Sequence, residues 1–321
     1  STPYPTLFPY TTLFRSLWRE TCSLSDEALA KKIHEDRVDI LFELSGHTAY
    51  NRMGVLALKP APLQASYLGY PGTTGLPTMD FRITDELVDP VGMTEKFHTE
   101  RLIRLSRCAW CYEPDAVAPD VAPVPALKNG HITFGCFNNM AKLNPALFDM
   151  WAEILIKVPD SHLRLKARTL TDDRVKNELK DYFTAKGIAA ERLDFFGHTR
   201  KIHEHLNHYH EVDIALDSFP YHGTTTTCEA MWMGCPVVTR AGAAHVSRVG
   251  VSLLSAVGLE EFIGQNREDY IGKAAALAGD IDRLVELRAG MRDRLKSSPL
   301  MNAPDFAREF EVALLQMAEA R

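Results

Sequence analysis

The chain predicts an α/β fold of two lobes, each a mostly parallel sheet wrapped by helices, with a ligand cleft between them. Three observations carry this expectation. Short apolar, β-branched runs alternate with amphipathic stretches along most of the chain. One stretch, Val212 to Thr239 (VDIALDSFPYHGTTTTCEAMWMGCPVVT), packs strand, tight loop, helix and strand into a few turns. Residues 111–130, CYEPDAVAPDVAPVPALKNG, lose all periodicity and are dominated by Pro and Ala, the composition of a linker between lobes. The 321 residues also suit two domains of about 150 residues each.

The elements follow in order. Residues 1–16 carry Pro3, Pro5 and Pro9, show no period and lack a secretory signal pattern, so they are set aside as an irregular, candidate non-native segment. SLSDEALAKKIHEDR opens on Ser25 and Asp26 as caps and has helical spacing. VDILFEL, residues 38–44, is a buried strand that runs into SGHTAYNR, a loop carrying His47, Asn51 and Arg52. LQASYLG and DFRITD read as short strands around the Gly/Pro loop from Tyr70 to Pro77. This first lobe is expected over residues 17–125.

A second lobe is expected over residues 126–298. HITFGCFNN is a strand and loop, and NPALFDMWAEILIKVP is a helix with Asn144 as cap and Pro145 in its first turn. SHLRLKA is a strand; TDDRVKNELKDYFTAKG is a helix with acids at its front and Gly187 at its end. RLDFFG is a strand and KIHEHLNHYHE a helix. In the stretch Val212 to Thr239, CEAMWMG is the helix and Gly234 stops it. RAGAAHVSRVGVSLLSAVG gives a loop and helix; LEEFIGQNREDYIGKAAALAGD and IDRLVELRAGMRDRLKSS read as helices. Five strands with intervening helices make a doubly wound nucleotide-binding half. Residues 299–321 form a last helix whose stripe of Phe306, Phe310, Val312, Leu315 and Met317 is expected to pack back on the lobes.

Composition excludes several functions. A net charge of −6 and a pI near 6.1 argue against a nucleic-acid or anionic-membrane partner. Six cysteines are too sparse for a disulfide scaffold and suit a reducing, cytoplasmic compartment. No apolar run approaches the roughly 20 residues of a membrane helix.

Chemistry is expected at the strand ends. A loop at the carboxyl end of a parallel strand, running into a helix N-terminus, suits phosphate. Thr224, Thr225 and Thr226 with Glu229 would offer hydroxyls, N–H groups and a carboxylate to a nucleotide diphosphate and its ribose; the same threonines could simply cap the helix. FGCFNNMAK adds Asn138, Asn139 and Lys142 from another strand end, and Lys142 is a point charge suited to phosphate. His198, His205, His245, Arg248 and Gly250 sit on further strand-end loops. In the first lobe, His47 and the loop Gly69, Tyr70, Pro71, Gly72 would face the cleft, with His47 able to serve as acid or base, or simply to be structural. The histidines at 198, 203, 205, 208 and 210 read as a polar helix face in preference to a metal site, because the set lacks a regular i, i+4 spacing. The CxxC pair Cys108 and Cys111 lacks a second pair and is weak for zinc or redox work.

Taken together, DIALDSFPYHGTTTTCEAMWMGCPVVT, PAPLQASYLGYPGTTGLPTMDFRITD, SGHTAYNR, FNNMAKLNPALFDMW and RVGVSLL resemble the catalytic region of protein O-linked N-acetylglucosamine transferases, closest to the bacterial and plant SPINDLY-type branch, over roughly residues 24–321. The resemblance implies a GT-B architecture. It implies inverting, metal-independent transfer from UDP-GlcNAc to Ser or Thr hydroxyls of a protein, with no cofactor beyond the sugar nucleotide. Carried over by motif, Asn139 faces the donor diphosphate, Lys142 neutralises the leaving UDP and His205 lies near the uridine. Thr225 and Thr226 bind the diphosphate, Glu229 binds the ribose, and the backbone of Gly69–Gly72 approaches the sugar. Two family features have no match here: a first-lobe strand and loop bearing a histidine proposed as base, and the preceding tetratricopeptide repeats. The expectation is therefore a truncated chain, with an incomplete first lobe, that binds UDP and transfers weakly or not at all alone. The alternatives are O-fucosylation from GDP-fucose and an inactive nucleotide-binding scaffold.

Overall fold

A computed structural model describes residues 17–320; the expectation for residues 1–16 lies outside them. Two parallel sheets organise the chain. The first holds β1 (Ile40–Glu43), β2 (Leu63–Ser66), β3 (Phe81–Asp85) and β4 (Arg101–Leu105) in that spatial order. The second holds β5 (Thr133–Cys136), β6 (His162–Lys166), β7 (Leu193–Phe196), β8 (Ile214–Leu216), β9 (Val237–Arg240) and β10 (Ile263–Gly264), ordered β10-β9-β8-β5-β6-β7 and parallel throughout. From β5 the chain builds outward through β6 and β7, then returns to β5's other side with β8. The strand order therefore reverses between β5 and β8, and a crevice opens at their carboxyl ends.

Burial explains the strands. Phe134, Leu163, Ile214 and Val238 are fully buried, as expected where helices cover both faces. Helix Pro145–Lys157 begins on Asn144, whose side chain accepts from Leu147 N, and it buries Trp151, Ile154 and Leu155. Val88, Cys108, Ala109 and Trp110 from the first-sheet half join the core of the second, so the two halves share one apolar contact.

Several expectations need correction. The second sheet has six strands, not five: Ile263–Gly264, inside a segment read as helix, pairs with Thr239 and Arg240. The helix proper starts after Asn266, whose side chain caps it at Asp269 N, so the cap marks a boundary that the apolar pattern hides. Strand β4 is a further addition to the elements expected from the sequence; in RLIRL two arginines interrupt the apolar run, and only Ile103 and Leu105 are buried. KIHEHLNHYHE divides into helix Ile202–Asn207 and a 3-10 turn, His208–Glu211. The last helix, Ala303–Glu319, packs on the first sheet through Phe306, Phe310, Ala313, Leu314 and Met317. Val312 and Leu315, placed in the stripe by spacing, are 51% and 64% exposed, because the true contact face follows Phe310, Ala313, Leu314 and Met317.

The Pro/Ala-rich segment is pinned along the second sheet's helices. Arg288 Nε donates to Ala122 O at 2.6 Å, Arg292 donates to Pro119 O, and His210 Nε2 lies 2.8 Å from Asp120 O. Up to the short helix Ala126–Asn129, these carbonyls are held by side chains from outside the segment in place of a regular backbone ladder. No helix among the described residues is long and apolar enough to cross a membrane.

Candidate active site

The β5/β8 crevice is built by one carboxylate. Asp217, the first residue after β8, is 3% exposed. Its Oδ1 accepts from Ser218 N (2.9 Å), Gly223 N (2.8 Å) and Asn138 Nδ2 (3.3 Å), and its Oδ2 accepts from Thr239 Oγ1 (2.8 Å). These bonds fold residues 218–223 into a tight loop that ends at a helix. Gly223 is required by space: a Cβ there would lie 2.5 Å from Thr226 Oγ1 and 2.8 Å from Asn138 Oδ1.

Helix Thr225–Trp232 includes the threonines in its first turn, earlier than the CEAMWMG expectation. Thr224, at the cap position, makes no side-chain cap bond, so the simple capping reading fails. The N–H groups of Thr225 and Thr226 have no protein acceptor among the described residues. They form an open positive helix end at the crevice.

Lys142 closes on the same loop. Its Nζ donates to His222 O at 2.8 Å and stands 4.1 Å from the centroid of the Tyr221 ring. Burial depresses its pKa, and Asp217 pulls it back up. One ammonium and two free N–H groups thus come from two strand ends to one place.

Asn138 is 5% exposed and its amide is engaged within the protein: Nδ2 donates to Ser218 Oγ at 2.9 Å and Oδ1 accepts from Thr226 Oγ1. The sequence placed Asn138 and Thr226 side by side with the ligand groups; the structure gives their side chains a loop-holding role first. Asn139 is exposed, and its Oδ1 accepts from Ala141 N at 3.1 Å while capping the turn that carries Lys142.

Deeper along the crevice, His205 bridges two charges. Lys166 Nζ is 2.8 Å from its Nδ1, and Glu229 Oε2 is 3.0 Å from its Nε2. An ammonium can only donate, so Nδ1 accepts and Nε2–H donates to Glu229. Burial lowers the Lys166 pKa, opposed by Glu229. A cavity of about 410 Å³ opens beside this triad, lined by Phe137, Asn139, Arg168, His198, Lys201 and His205. Beyond His198, which lines the same cavity, His208 packs on Phe196 at 5.0 Å and His210 meets Asp120 O.

A second cavity, about 440 Å³, lies between the sheets. His47, Tyr70, Pro71 and Gly72 line one side; Ala244, His245 and Val246 line the other. His47 is exposed and meets Tyr70 edge-on at 5.3 Å. Gly69 is needed because a Cβ would fall 1.6 Å from Leu44 O.

The sequence reading missed Asp217, Tyr221, His222 and Lys166. Asp217 closes the apolar run VDIALD, so a buried acid at a strand end was its available signal; the other three matter only through contacts made in three dimensions.

The model of glycosyl transferase family 41 matches residues 17–112 and 124–310. The rice protein named probable UDP-N-acetylglucosamine–peptide N-acetylglucosaminyltransferase SPINDLY (Oryza sativa subsp. japonica) is 44% identical over 94% of this chain and 32% of its own length. Its Arabidopsis thaliana counterpart is 43% identical, with 94% and 33% covered. The chain therefore spans about a third of the length of these curated relatives. A solved lysine-to-methionine variant of the Thermobaculum terrenum O-GlcNAc transferase superposes with a TM-score of 0.87 at 37% identity, over 94% of this chain and 56% of that one. Sucrose-phosphate synthase from Thermosynechococcus elongatus, 14% identical with a TM-score of 0.58 over 92% of this chain and 78% of its own, shares the two-lobed GT-B fold. On the family match and the SPINDLY identities, this chain belongs to glycosyl transferase family 41.

Proposed function

We propose that this chain carries the donor site of a transferase that moves N-acetylglucosamine from UDP-GlcNAc to Ser or Thr hydroxyls of a protein acceptor, with inversion and without a metal. One observation carries the reading: Lys142 Nζ and the N–H groups of Thr225 and Thr226, which have no acceptor among the described residues, converge at the β5/β8 crevice. That is where a departing diphosphate needs positive charge. In the reaction the acceptor oxygen attacks the anomeric carbon, the bond from that carbon to the β-phosphate oxygen breaks, and UDP leaves with the electron pair. The acceptor's proton passes to a base, for which His47, exposed at the interlobe cavity, is the candidate in this chain. Lys142 and the helix start take up the charge on UDP. Glu229 Oε1, with no protein partner among the described residues, is placed to accept from a ribose hydroxyl while Oε2 stays on His205. Asn139, Thr224 and the 410 Å³ cavity complete the nucleotide site, and the Gly69–Gly72 loop, at the 440 Å³ cavity, covers the sugar. The curated relatives carry UDP-N-acetylglucosamine in their names, which supports this donor over a GDP-sugar.

A thermal melt tests the reading. UDP at a hundredfold excess over its Kd should stabilise the chain by about 2.7 kcal/mol and raise the melting temperature, and GDP should do less. A larger shift with GDP would transfer the site to a GDP-sugar donor. No shift with either would overturn it.

A further inference from the structure

The two lobes meet in a buried polar cluster that the donor site does not use. Arg82 on β3 is 2% exposed, Asp89 just beyond it 0%, and His245, from the loop after β9, 6%. Arg82 donates to Tyr70 O at 2.9 Å and Gly72 O at 2.8 Å, the carbonyls of the loop that faces the interlobe cavity. A terminal nitrogen of the same guanidinium lies 3.4 Å from His245 Nε2, and His245 Nδ1 lies 2.6 Å from Asp89 Oδ2. Because a guanidinium only donates, Nε2 accepts and Nδ1–H donates to Asp89. His98 Nε2 stands 3.4 Å from the other Asp89 oxygen.

Such a cluster is a poor adhesive. Burying an Arg, an Asp and two histidines costs desolvation that apolar packing would avoid, and Arg82 Nε has no partner among the described residues. Apolar contact between the lobes is already supplied by Val88, Ala109 and Trp110. What the cluster adds is direction. His245 is the second-lobe member, and its only route to the Tyr70–Gly72 loop within the cluster runs through the Arg82 fork.

We propose that His245 is a positioning residue that, through Arg82, holds the Tyr70–Gly72 loop of the first lobe in register with the donor lobe. This rests on reading the cleft as the transfer site. Without the Nε2 acceptor the guanidinium is free to re-aim, and the two carbonyls lose a fixed anchor. The cavity bounded by that loop and His245 then loses its shape, while the diphosphate groups at Lys142 and Thr225 are untouched.

Hydrogen exchange on the intact chain tests this. His245→Leu fills the space without a polar partner; His245→Gln offers an amide oxygen to Arg82. In the peptide spanning residues 67–76, whose amides at Gly69, Thr74 and Gly75 are hydrogen-bonded, exchange should rise about tenfold in the Leu variant. It should return close to wild type in the Gln variant. UDP affinity, by calorimetry, should stay unchanged in both. Unchanged exchange in the Leu variant, or an equal rise in Leu and Gln, would overturn the proposal. Should the Leu variant not fold, Arg82→Lys decides: its single ammonium cannot span both carbonyls, and the same peptide must loosen. Wild-type chain that binds no UDP would sink the donor reading instead, and the exchange result would stand apart from it.

Discussion

Replacing Lys142 by Met removes the ammonium and keeps most of the stem. In the free protein that ammonium is held 2.8 Å from His222 O and 4.1 Å from the Tyr221 ring centre, beside the open helix end of Thr225. It is partly buried, and burial already disfavours its charge, so an arriving diphosphate finds a poorly solvated partner. At an effective dielectric of about 20, two unit charges about 4 Å apart interact by about 4 kcal/mol. Part of that is lost to the water each gives up, and hydrogen bonds to charged groups net about 1.5–3 kcal/mol. UDP should therefore bind about ten- to a hundredfold more weakly to Lys142→Met. Transfer, where charge develops fully on the leaving group, should fall by about 10²- to 10³-fold. Calorimetry with UDP and with uridine separates the diphosphate contribution from the base and ribose. Uridine affinity should not change. An equal loss for uridine and UDP would mean that the substitution disturbs the whole pocket, and no loss for UDP would refute the role of Lys142.

Two threonines with different surroundings should part company. Thr226→Val removes the donor to the buried Asn138 Oδ1 and should cost about 1–3 kcal/mol in urea unfolding. Thr225, exposed and with no hydroxyl partner among the described residues, should change stability by less than about 0.5 kcal/mol as Thr225→Val yet weaken UDP binding. Acidification should destabilise the fold. Burial pushes His208 and His245 down to about 4, so between their ordinary value near 6.5 and about 4 the unfolded chain binds more protons than the folded one. Stability supplied by their neutral forms is complete above that window and lost as pH falls through it; a urea midpoint at pH 5 no lower than at pH 7.5 would contradict this.

Much of the fold could be read from the chain because its strands are continuous apolar runs and its helices carry explicit punctuation. Asn144–Pro145 and Gly234 mark their boundaries locally. The misreadings share a cause. Ile263–Gly264 is a strand only because Thr239 and Arg240 lie beside it, and Val312 and Leu315 fit a helical stripe that the first sheet does not meet. The crevice was legible in outline, since Lys142 and the threonines follow strands. Its construction was not, because Asp217, Asn138 and Gly223 act together through bonds that reach across as many as 88 positions of sequence. The interlobe cluster was the least legible: His245 reaches Asp89 across 156 residues, and no local pattern announces such a pair.

The most direct test maps where UDP lands. Amide hydrogen exchange of the wild-type chain, with and without saturating UDP, should show protection at residues 138–142, at Thr225 and Thr226, and along 198–205 beside His205. Protection confined to the cavity between His47 and His245, or no protection anywhere, would contradict the donor site described for the β5/β8 crevice.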